Sequence, residues 1–281
     1  MEPARIVHRQ SWRAGTPSSG RRSIPEETAV VVTYNGGTYA VMMTTPQDLE
    51  DFALGFSLSE GIINSVADIG SLDIVHLDDG LELRMWLSQP RADRLKERRR
   101  RMAGPTGCGL CGIESIAEAM RPIATIGHGG QFSPEQIMAA MEGLPSRQRL
   151  NIETRAVHAA AFWTVTSGIV ALREDVGRHN ALDKLSGALA HAPIVASEGI
   201  VLLTSRVSME MVQKTAAIGA PAMVSVSAPT ALAVRMADAA GITLAAIARA
   251  DGFEVFTHPC RISREPLRKS RRQVDRQHAR K

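Results

Sequence analysis

The sequence has little cysteine and no long apolar run. Three cysteines occur among 281 residues, too few for the disulfide framework of a small secreted domain. No apolar run approaches the roughly 20 residues that a membrane-spanning helix requires, and the Arg21-Arg22 pair is followed by polar and acidic residues up to Glu27 rather than by an apolar export signal. We therefore expect a soluble protein of the cytoplasm, where free thiols persist.

The net charge of +4 hides an uneven distribution. Residues 261–281 contain nine Lys or Arg against Glu265 and Asp275, a net charge of +7, so the rest of the chain carries about −3. This tail has no aromatic residue on which nucleic-acid bases could stack. Residues 263–281 are therefore expected to form a solvated, disordered end rather than a nucleic-acid arm.

Residues 104–112, GPTGCGLCG, carry the strongest chemical signal and hold two of the three cysteines, Cys108 and Cys111. The surrounding glycines and proline allow the backbone to bend and to expose both sulfurs. Two cysteines three positions apart can exchange sulfur or close a disulfide. Helical spacing of apolar residues after Gly112 places a helix N-terminus, which favours thiolate, beside the pair.

Redox chemistry, sulfur transfer and metal binding all use such a pair. A structural zinc site requires four ligands, and since there is no second C-x-x-C, His128 or His158 would have to complete it. A thioredoxin-like disulfide centre is also open, although the expected order of strand, C-x-x-C and long helix is not evident. Sulfur or redox chemistry is the favoured interpretation.

The pattern divides the chain into five segments. Residues 1–24 are rich in Arg, Ser, Gly and Pro, which predicts disorder. Strand and turn patterns around one amphipathic helix predict a small α+β domain over 25–90. A charged, basic connector and the cysteine loop occupy 91–112, and a larger α/β domain occupies 113–262, followed by the basic tail.

Two helix starts carry an N-cap residue followed by proline, the usual first position of a helix. Thr45 and Pro46 begin the first, and Ser133 and Pro134 begin the second, where Gln136 completes a capping box. Both helices are expected to bury an apolar stripe.

Strand and helix patterns alternate in the larger domain, which predicts a mixed, largely parallel sheet covered by helices. The carboxyl ends of its strands are followed by two arginines, several hydroxyls and helix N-termini, a combination that suits a phosphorylated ligand. Helix capping by some of these residues is the structural alternative. His158, beside three alanines, is expected to be a buried imidazole, whereas His179 has better functional prospects. The polar residues at the strand ends are Glu174, Asp175, Arg178, His179, Asn180, Ser205, Arg206, Ser227 and Thr230.

Seven stretches occur in an order that identifies a family: TPQDLEDFALGFSLSEGII, CGLCG, VHAAAF, EDVGRHNALDKL, SRVSMEMVQK, SVSAPTALAV and FTHP. From about Glu26 to Ile262 the chain resembles the formate dehydrogenase accessory sulfurtransferase family, FdhD/NarQ. The resemblance implies a sulfurtransferase that takes sulfur as a persulfide from a cysteine desulfurase. It passes the sulfur to the molybdenum or tungsten bis(molybdopterin guanine dinucleotide) cofactor, which activates formate dehydrogenase.

The resemblance also implies a cytidine deaminase-like larger domain and a homodimer. The residues themselves lead us to expect no resident metal and neither nucleic acid nor membrane as partner. Cys108 would carry the persulfide, and Cys111 would transfer its sulfur or tune its reactivity. The guanine nucleotide ends of the cofactor would lie at the polar strand ends and at a stretch near the C-terminus. That stretch consists of Phe253, Glu254, Val255, Phe256, Thr257 and His258.

Two other functions stay open. A non-catalytic chaperone that only binds the molybdenum cofactor would need the polar strand ends and not the cysteines. A zinc-dependent, deaminase-like hydrolase would need His-x-Glu, whereas His158 is followed by two alanines. The chain also has Thr154-Arg155-Ala156 where the family usually has Thr-Gly-Gly, and Cys260 is interpreted as an incidental thiol.

Overall fold

A computed structural model describes residues 1–102, 123, 125–127 and 129–263. The predicted cysteine loop, the helix predicted after it, His128 and the chain beyond residue 263 lie outside the described residues.

The first part of the chain forms a two-stranded ribbon, a four-stranded sheet and two helices. Their bounds are β1 Ala4–Arg13, β2 Thr16–Pro25, β3 Thr28–Tyr34, β4 Gly37–Thr44, α1 Leu49–Ser59, β5 Ile69–Leu77, β6 Gly80–Leu87 and α2 Gln89–Met102. The second part forms a six-stranded sheet with helices on both faces. Its elements are α3 Pro134–Gly143, α4 Arg149–Thr154, β7 His158–Thr164, β8 Gly168–Asp175, α5 Arg178–Ala190, β9 Gly199–Leu203, α6 Met209–Ile218, β10 Ala222–Ser225, α7 Ala231–Ala239, β11 Thr243–Arg249 and β12 Gly252–Val255.

The first 24 residues are ordered, so the prediction of disorder is wrong. Strands β1 and β2 pair antiparallel along their full lengths, and the turn between them places Ala14 and Gly15 at positive φ, as tight hairpin turns require. Arg22 donates a hydrogen bond to the carbonyl oxygen of Thr154 at the end of α4. The prediction failed because it was drawn from the abundance of Arg, Ser, Gly and Pro, whereas main-chain pairing orders this ribbon.

The four-stranded sheet has the order β4-β3-β6-β5 and carries α1 on one face. Its hairpin over Asn35 and Gly36 confirms the predicted turn, since both residues have positive φ. Helix α1 begins later than predicted, with Asp48 rather than Thr45 as its N-cap. Residues 91–101, predicted as a charged connector, belong to helix α2, because Arg, Lys, Glu and Leu favour helix and Ala92 and Leu95 are buried.

The six-stranded sheet has the order β12-β11-β10-β9-β7-β8. A mixed sheet is confirmed, but "largely parallel" is wrong, because β9, β10 and β11 supply the two parallel neighbour pairs and the other pairs are antiparallel. The reason is β7, which lies between β8 and β9 and runs opposite to both. Helices α5, α6 and α7 pack on one face and α3 packs on the other. Ser133 caps α3 with the predicted capping box to Gln136.

Helices α1 and α5 join the two sheets through a close crossing. A Cβ atom on Gly55 would lie 1.7 Å from the carbonyl oxygen of Asp183, and one on Gly187 would lie 2.0 Å from that of Asp51. Only glycine fits at both positions. The two parts of the chain therefore pack backbone against backbone at this point.

Candidate functional site

Strands β8, β9 and β10 point in one direction, so their carboxyl ends lie at one edge of the sheet. We call the segments that follow them, residues 174–180, 205–210 and 227–230, the rim. The second and third segments are joined by main-chain hydrogen bonds from Val207 to Ala228 (3.3 Å) and from Thr230 to Val207 (2.9 Å). These two segments of the rim therefore form one bonded unit.

Asp175 anchors the first rim segment to the entry of α1. Its carboxylate accepts hydrogen bonds from the hydroxyl of Thr44 and the main-chain nitrogen of Thr45 (3.0 Å). It also accepts from the main-chain nitrogen of Gly177 (2.7 Å) and Nδ2 of Asn180 (3.0 Å). These contacts account for the late start of α1, because the carboxylate holds Thr45 away from the helix.

Two polar rim residues that the sequence singled out are buried and bonded within the protein. Asn180 is 3% exposed, and its amide nitrogen also donates to the carbonyl oxygen of Met43 (2.8 Å). Glu174 accepts from the main-chain nitrogens of Leu150 (2.9 Å) and Asn151 (2.8 Å), the first turn of α4. Burial raises the pKa of Glu174. Asn180 and Glu174 thus position the rim.

Arg178 and His179 differ from these neighbours because they offer polar atoms without partners. Nε of Arg178 and Nε2 of His179 are buried and have no hydrogen-bond partner among the described residues. Oε2 of Glu210, at the start of α6, lies 4.0 Å from Nε2 of His179. Buried polar atoms are rarely left unpaired, so the pair is suited to receive hydrogen-bonding groups of a ligand.

The local environment keeps two histidines neutral, His179 in the rim and His158 on β7. Burial, together with Arg178 and Lys214, lowers the pKa of His179 to about 4, although Glu210 opposes the shift. Burial and Arg178 also lower the pKa of His158, on β7, with Asp175 opposing. His158 is half-buried and interacts electrostatically with Arg178 and Asp175 of the rim, so it is not the isolated, buried imidazole that the sequence predicts. The positive charge beside His179 thus comes from Arg178 and Lys214.

Of the other rim residues, some are bonded within the protein and one is exposed to a ligand. Ser205 is 3% exposed, and its hydroxyl donates to the carbonyl oxygen of Arg206 (3.3 Å). Thr230 caps α7, where its hydroxyl accepts from the main-chain nitrogen of Ala233 (3.2 Å), so capping is confirmed for Thr230. The main-chain nitrogen of Ser227 donates to the hydroxyl of Ser225 (3.0 Å). Arg206 is exposed and available to a ligand.

The predicted C-terminal stretch ends at the opposite edge of the sheet. Strand β12 runs antiparallel to β11, so the chain leaves the rim as it proceeds from Phe253 to His258. The hydroxyl of Thr243, the first residue of β11, donates to the carbonyl oxygen of His258 (2.9 Å). Thr257 is buried and bonded to Ile242 and Leu244, whereas Val255 and Phe256 are exposed. Within one chain the structure does not bring this stretch to the rim.

Sequence reasoning missed Glu210 and Lys214, both on α6. Lys214 donates to Asp183 (2.6 and 2.8 Å) and to Ser59 (3.0 Å), so it links α6 to α5 and α1 while it acts on His179. Glu210 had a usable signal in the sequence. It lies in the first turn of α6, directly after the residues that follow β9, and so belongs with the other polar residues at the strand ends. Lys214 had no such signal, because its partners are distant in sequence.

Neither a metal centre nor a membrane span occurs in the part of the chain that the structure describes. Its side chains form no group of three or more His, Cys, Asp or Glu suited to a metal ion, and no described helix is long and apolar enough to cross a bilayer.

Fold and rim together define a mixed α/β protein with a four-stranded and a six-stranded sheet and a polar rim that presents guanidinium and imidazole nitrogens. The chain belongs to the FdhD/NarQ family, whose model matches residues 25–263. It is 51% identical over 259 residues to a protein named sulfur carrier protein FdhD from Agrobacterium fabrum, covering 92% of this chain and 96% of that one. A protein of the same name from Cupriavidus necator is 49% identical over 254 residues, covering 90% and 88%.

A solved structure shares the fold. The crystal structure described as a formate dehydrogenase accessory protein from Desulfotalea psychrophila superposes with a TM-score of 0.73 at 23% identity, covering 93% of this chain and all of that one.

Proposed function

We propose that this protein is a sulfur carrier that accepts sulfur as a persulfide on Cys108 and delivers it to the bis(molybdopterin guanine dinucleotide) cofactor of a formate dehydrogenase. The observation that carries the proposal is the 51% identity, over 92% of the chain, with a protein named for sulfur carriage. The paired cysteines in the glycine-rich CGLCG loop supply the chemistry that such a role requires.

Sulfur acceptance is a thiolate–persulfide exchange. The Cys108 thiolate attacks the outer sulfur of a persulfide on a cysteine desulfurase, and the desulfurase cysteine leaves as thiolate. In one route for release, the Cys111 thiolate attacks the inner sulfur of the Cys108 persulfide. The outer sulfur then leaves as hydrosulfide toward the acceptor, and the resulting disulfide is reopened by a thiol reductant. In the other route the acceptor takes the outer sulfur directly, and Cys111 only tunes Cys108.

The acceptor fits the rim as a substrate. Its guanine nucleotide ends carry diphosphates, and the rim offers the unpartnered Nε of Arg178, the exposed guanidinium of Arg206 and the unpartnered Nε2 of His179. Guanidinium groups are the side chains best matched to phosphate oxygens. Residues 253–258 end at the opposite end of the sheet strands from the rim. A ligand that contacts both the rim and residues 253–258 must therefore span the sheet, or contact the rim of one subunit and residues 253–258 of the other subunit of a homodimer. A cytidine deaminase-like larger domain is part of the same proposal.

Mass spectrometry tests the carrier role. Incubation with a persulfide-loaded cysteine desulfurase should add about 32 Da, the mass of one sulfur atom, to the wild-type chain and to Cys260→Ala, the control for the third, exposed cysteine. Cys108→Ala should gain nothing. A Cys108→Ala chain that still accepts the sulfur would exclude the assignment. Full activation of formate dehydrogenase by a Cys108→Ala/Cys111→Ala chain would instead establish a cofactor-binding chaperone.

Calorimetry with guanosine diphosphate tests the rim separately. Arg178→Ala should weaken binding at least about tenfold, the loss of one charge-assisted contact. Arg235→Ala, which removes an exposed arginine of α7 outside the rim segments, should bind like the wild type. Equal affinity of both variants would remove the rim from the proposal while leaving sulfur acceptance intact.

A further inference from the structure

A groove of about 520 Å³ lies beside the edge of β8 that does not pair with β7, and it shares only Glu174 with the rim. Residues 169–174 of β8 form its floor. Gln47 and Asp48, at the entry of α1, line one part, and Ser146, Arg147 and Arg149, from the turn before α4 and its start, line another. The volume falls within the range of about 300 to 1,000 Å³ that is usual for specific binding clefts.

Strand β8 is the last strand of the six-stranded sheet and pairs only with β7 among the described strands. Its other edge therefore faces the groove with main-chain groups. Two carbonyl oxygens there are occupied, because Arg147 donates to that of Ile169 (3.1 Å) and Arg173 donates to that of Leu172 (2.8 Å). An open strand edge is a template for pairing with another chain, and extended peptides use such edges in recognition.

Two exposed positive charges line the groove without an ion pair among the described residues. Arg147 and Arg149 are exposed and form no ion pair within the described ranges. Arg173 is bonded to Asp51 (2.7 Å) and lies 3.8 Å from Asp48, so both of these carboxylates are held at Arg173 and away from the two unpaired arginines. The carboxylate of the remaining acid, Glu174, is bonded to the main chain of α4. The occupant that fits is thus acidic, which disfavours the basic residues 264–281 of this chain.

We propose that this groove binds an extended acidic segment of a partner protein, which adds as a strand to the free edge of β8 and pairs its carboxylates with Arg147 and Arg149. Strand β8 ends at Asp175, three residues before Arg178. A partner docked there is held next to the rim. The inference rests on the geometry of the edge and is independent of the proposed sulfur chemistry.

Fluorescence anisotropy with designed peptides tests the proposal on the full-length protein. The probe is a labelled octapeptide of alternating Glu and Val. Valine favours the strand conformation, and in a strand the peptide places its valines on one face and its negative charges on the other. The same peptide methylated on alternate main-chain nitrogens keeps its charge but cannot form the ladder, and a Lys and Val octapeptide has the opposite charge. Only the unmodified acidic peptide should bind, and binding should weaken as salt is added.

Charge-reversed variants identify the surface. Arg147→Glu/Arg149→Glu should weaken binding of the acidic peptide at least about tenfold, the loss of two charge-assisted contacts. Arg149→Glu alone, whose side chain makes no hydrogen bond or ion pair within the described chain, keeps the test valid if the double variant misfolds and should give part of the loss. Arg235→Glu, at an exposed arginine on α7, is the charge-matched control for the single variant and should bind normally.

Hydrogen exchange locates the bound peptide. The amides of residues 169–174 should become protected when the acidic peptide is present. Equal binding of the methylated peptide, or protection elsewhere on the chain, would overturn strand addition at β8. A wild-type chain that self-associates, and that the peptide dissociates in sedimentation experiments, would show that a second copy and not a different partner occupies the edge, which also overturns the proposal.

Discussion

Nζ of Lys184 lies 2.7 Å from Oδ2 of Asp175, and neither side chain is exposed to solvent. Lys184 also donates to the carbonyl oxygen of Thr45 (2.9 Å). The pair therefore connects α5, the end of β8 and the entry to α1. Because Arg178 and His179 begin the helix that carries Lys184, the same buried pair that joins the two parts of the chain also fixes the rim.

Removing one member of this pair should be costly. Lys184→Met leaves the Asp175 carboxylate buried without its counter-charge, which costs about 3 to 5 kcal/mol in comparable buried pairs. Urea denaturation at neutral pH measures the change. Arg5→Met, which breaks an ion pair whose arginine is 74% exposed, is the control and should change the free energy of unfolding little. A similar small change in Lys184→Met would show that the pair does not hold the structure.

The helix crossing makes a second stability prediction. Gly55→Ala and Gly187→Ala each place a methyl group within 2.0 Å of a main-chain oxygen, so α1 and α5 must separate at a cost of about 1 to 3 kcal/mol or more. Gly143→Ala is the matched control, because its nearest new contact is an ordinary 3.7 Å to Ile169. That substitution should be neutral or stabilising by up to about 1 kcal/mol. Thermal unfolding distinguishes the three, and equal values would contradict the crossing.

Local signals in the sequence were reliable where local interactions decide the structure. The Asn35-Gly36 hairpin and the Ser133 capping box were predicted because each depends on residues within four positions. Thr45 has the same cap-and-proline signal as Ser133 and does not cap α1, because Asp175 binds it from 130 positions away. Competition between a local cap and a distant carboxylate is invisible to local pattern analysis.

The candidate site also has features that the sequence predicts and features that only the structure shows. Its position at the carboxyl ends of β8, β9 and β10 follows from strand and helix alternation, so the rim was predictable. The sequence does not predict which of these polar residues remain available to a ligand. Asn180, Glu174 and Arg178 all lie at or shortly after the end of β8, and only the structure shows that the first two have buried partners. The separation of His258 from the rim also depends on the direction of β12, which sequence alone left undetermined.

The N-terminal ribbon should be ordered but only weakly stable. Two strands without a core of their own are marginal in water, and Ile6 and Trp12 are 60% and 71% exposed. Amides of β1 and β2 should therefore exchange more slowly than in an unfolded chain and faster than those of β9. Gly15→Val, at φ +78°, should remove this protection without altering exchange in β9. Unprotected amides in the wild type would restore the prediction of disorder.

The pKa of His179 predicts how stability depends on pH. Burial, Arg178, Lys214 and His158 disfavour the imidazolium and Glu210 favours it, with the pKa lowered from 6.5 to about 4. Between these values the unfolded chain binds a proton at this residue that the folded chain does not, so this histidine's contribution to the free energy of unfolding falls as pH drops from 6.5 to 4 and is constant above that range. Urea denaturation at pH 5 and pH 7 should show a smaller difference for His179→Gln than for the wild type.

Titration by NMR gives the direct measurement of the same imidazole. Arg178→Ala should raise the pKa of His179 only part of the way to 6.5, because burial is the larger cause of the shift and persists in the variant. Arg206→Ala, which removes a rim cation that does not contribute to the shift, should leave the pKa unchanged. If His179 in the wild type titrates near 6.5, the unpartnered nitrogen is reached by water, and the rim lacks the dry, neutral imidazole on which ligand binding through Nε2 depends.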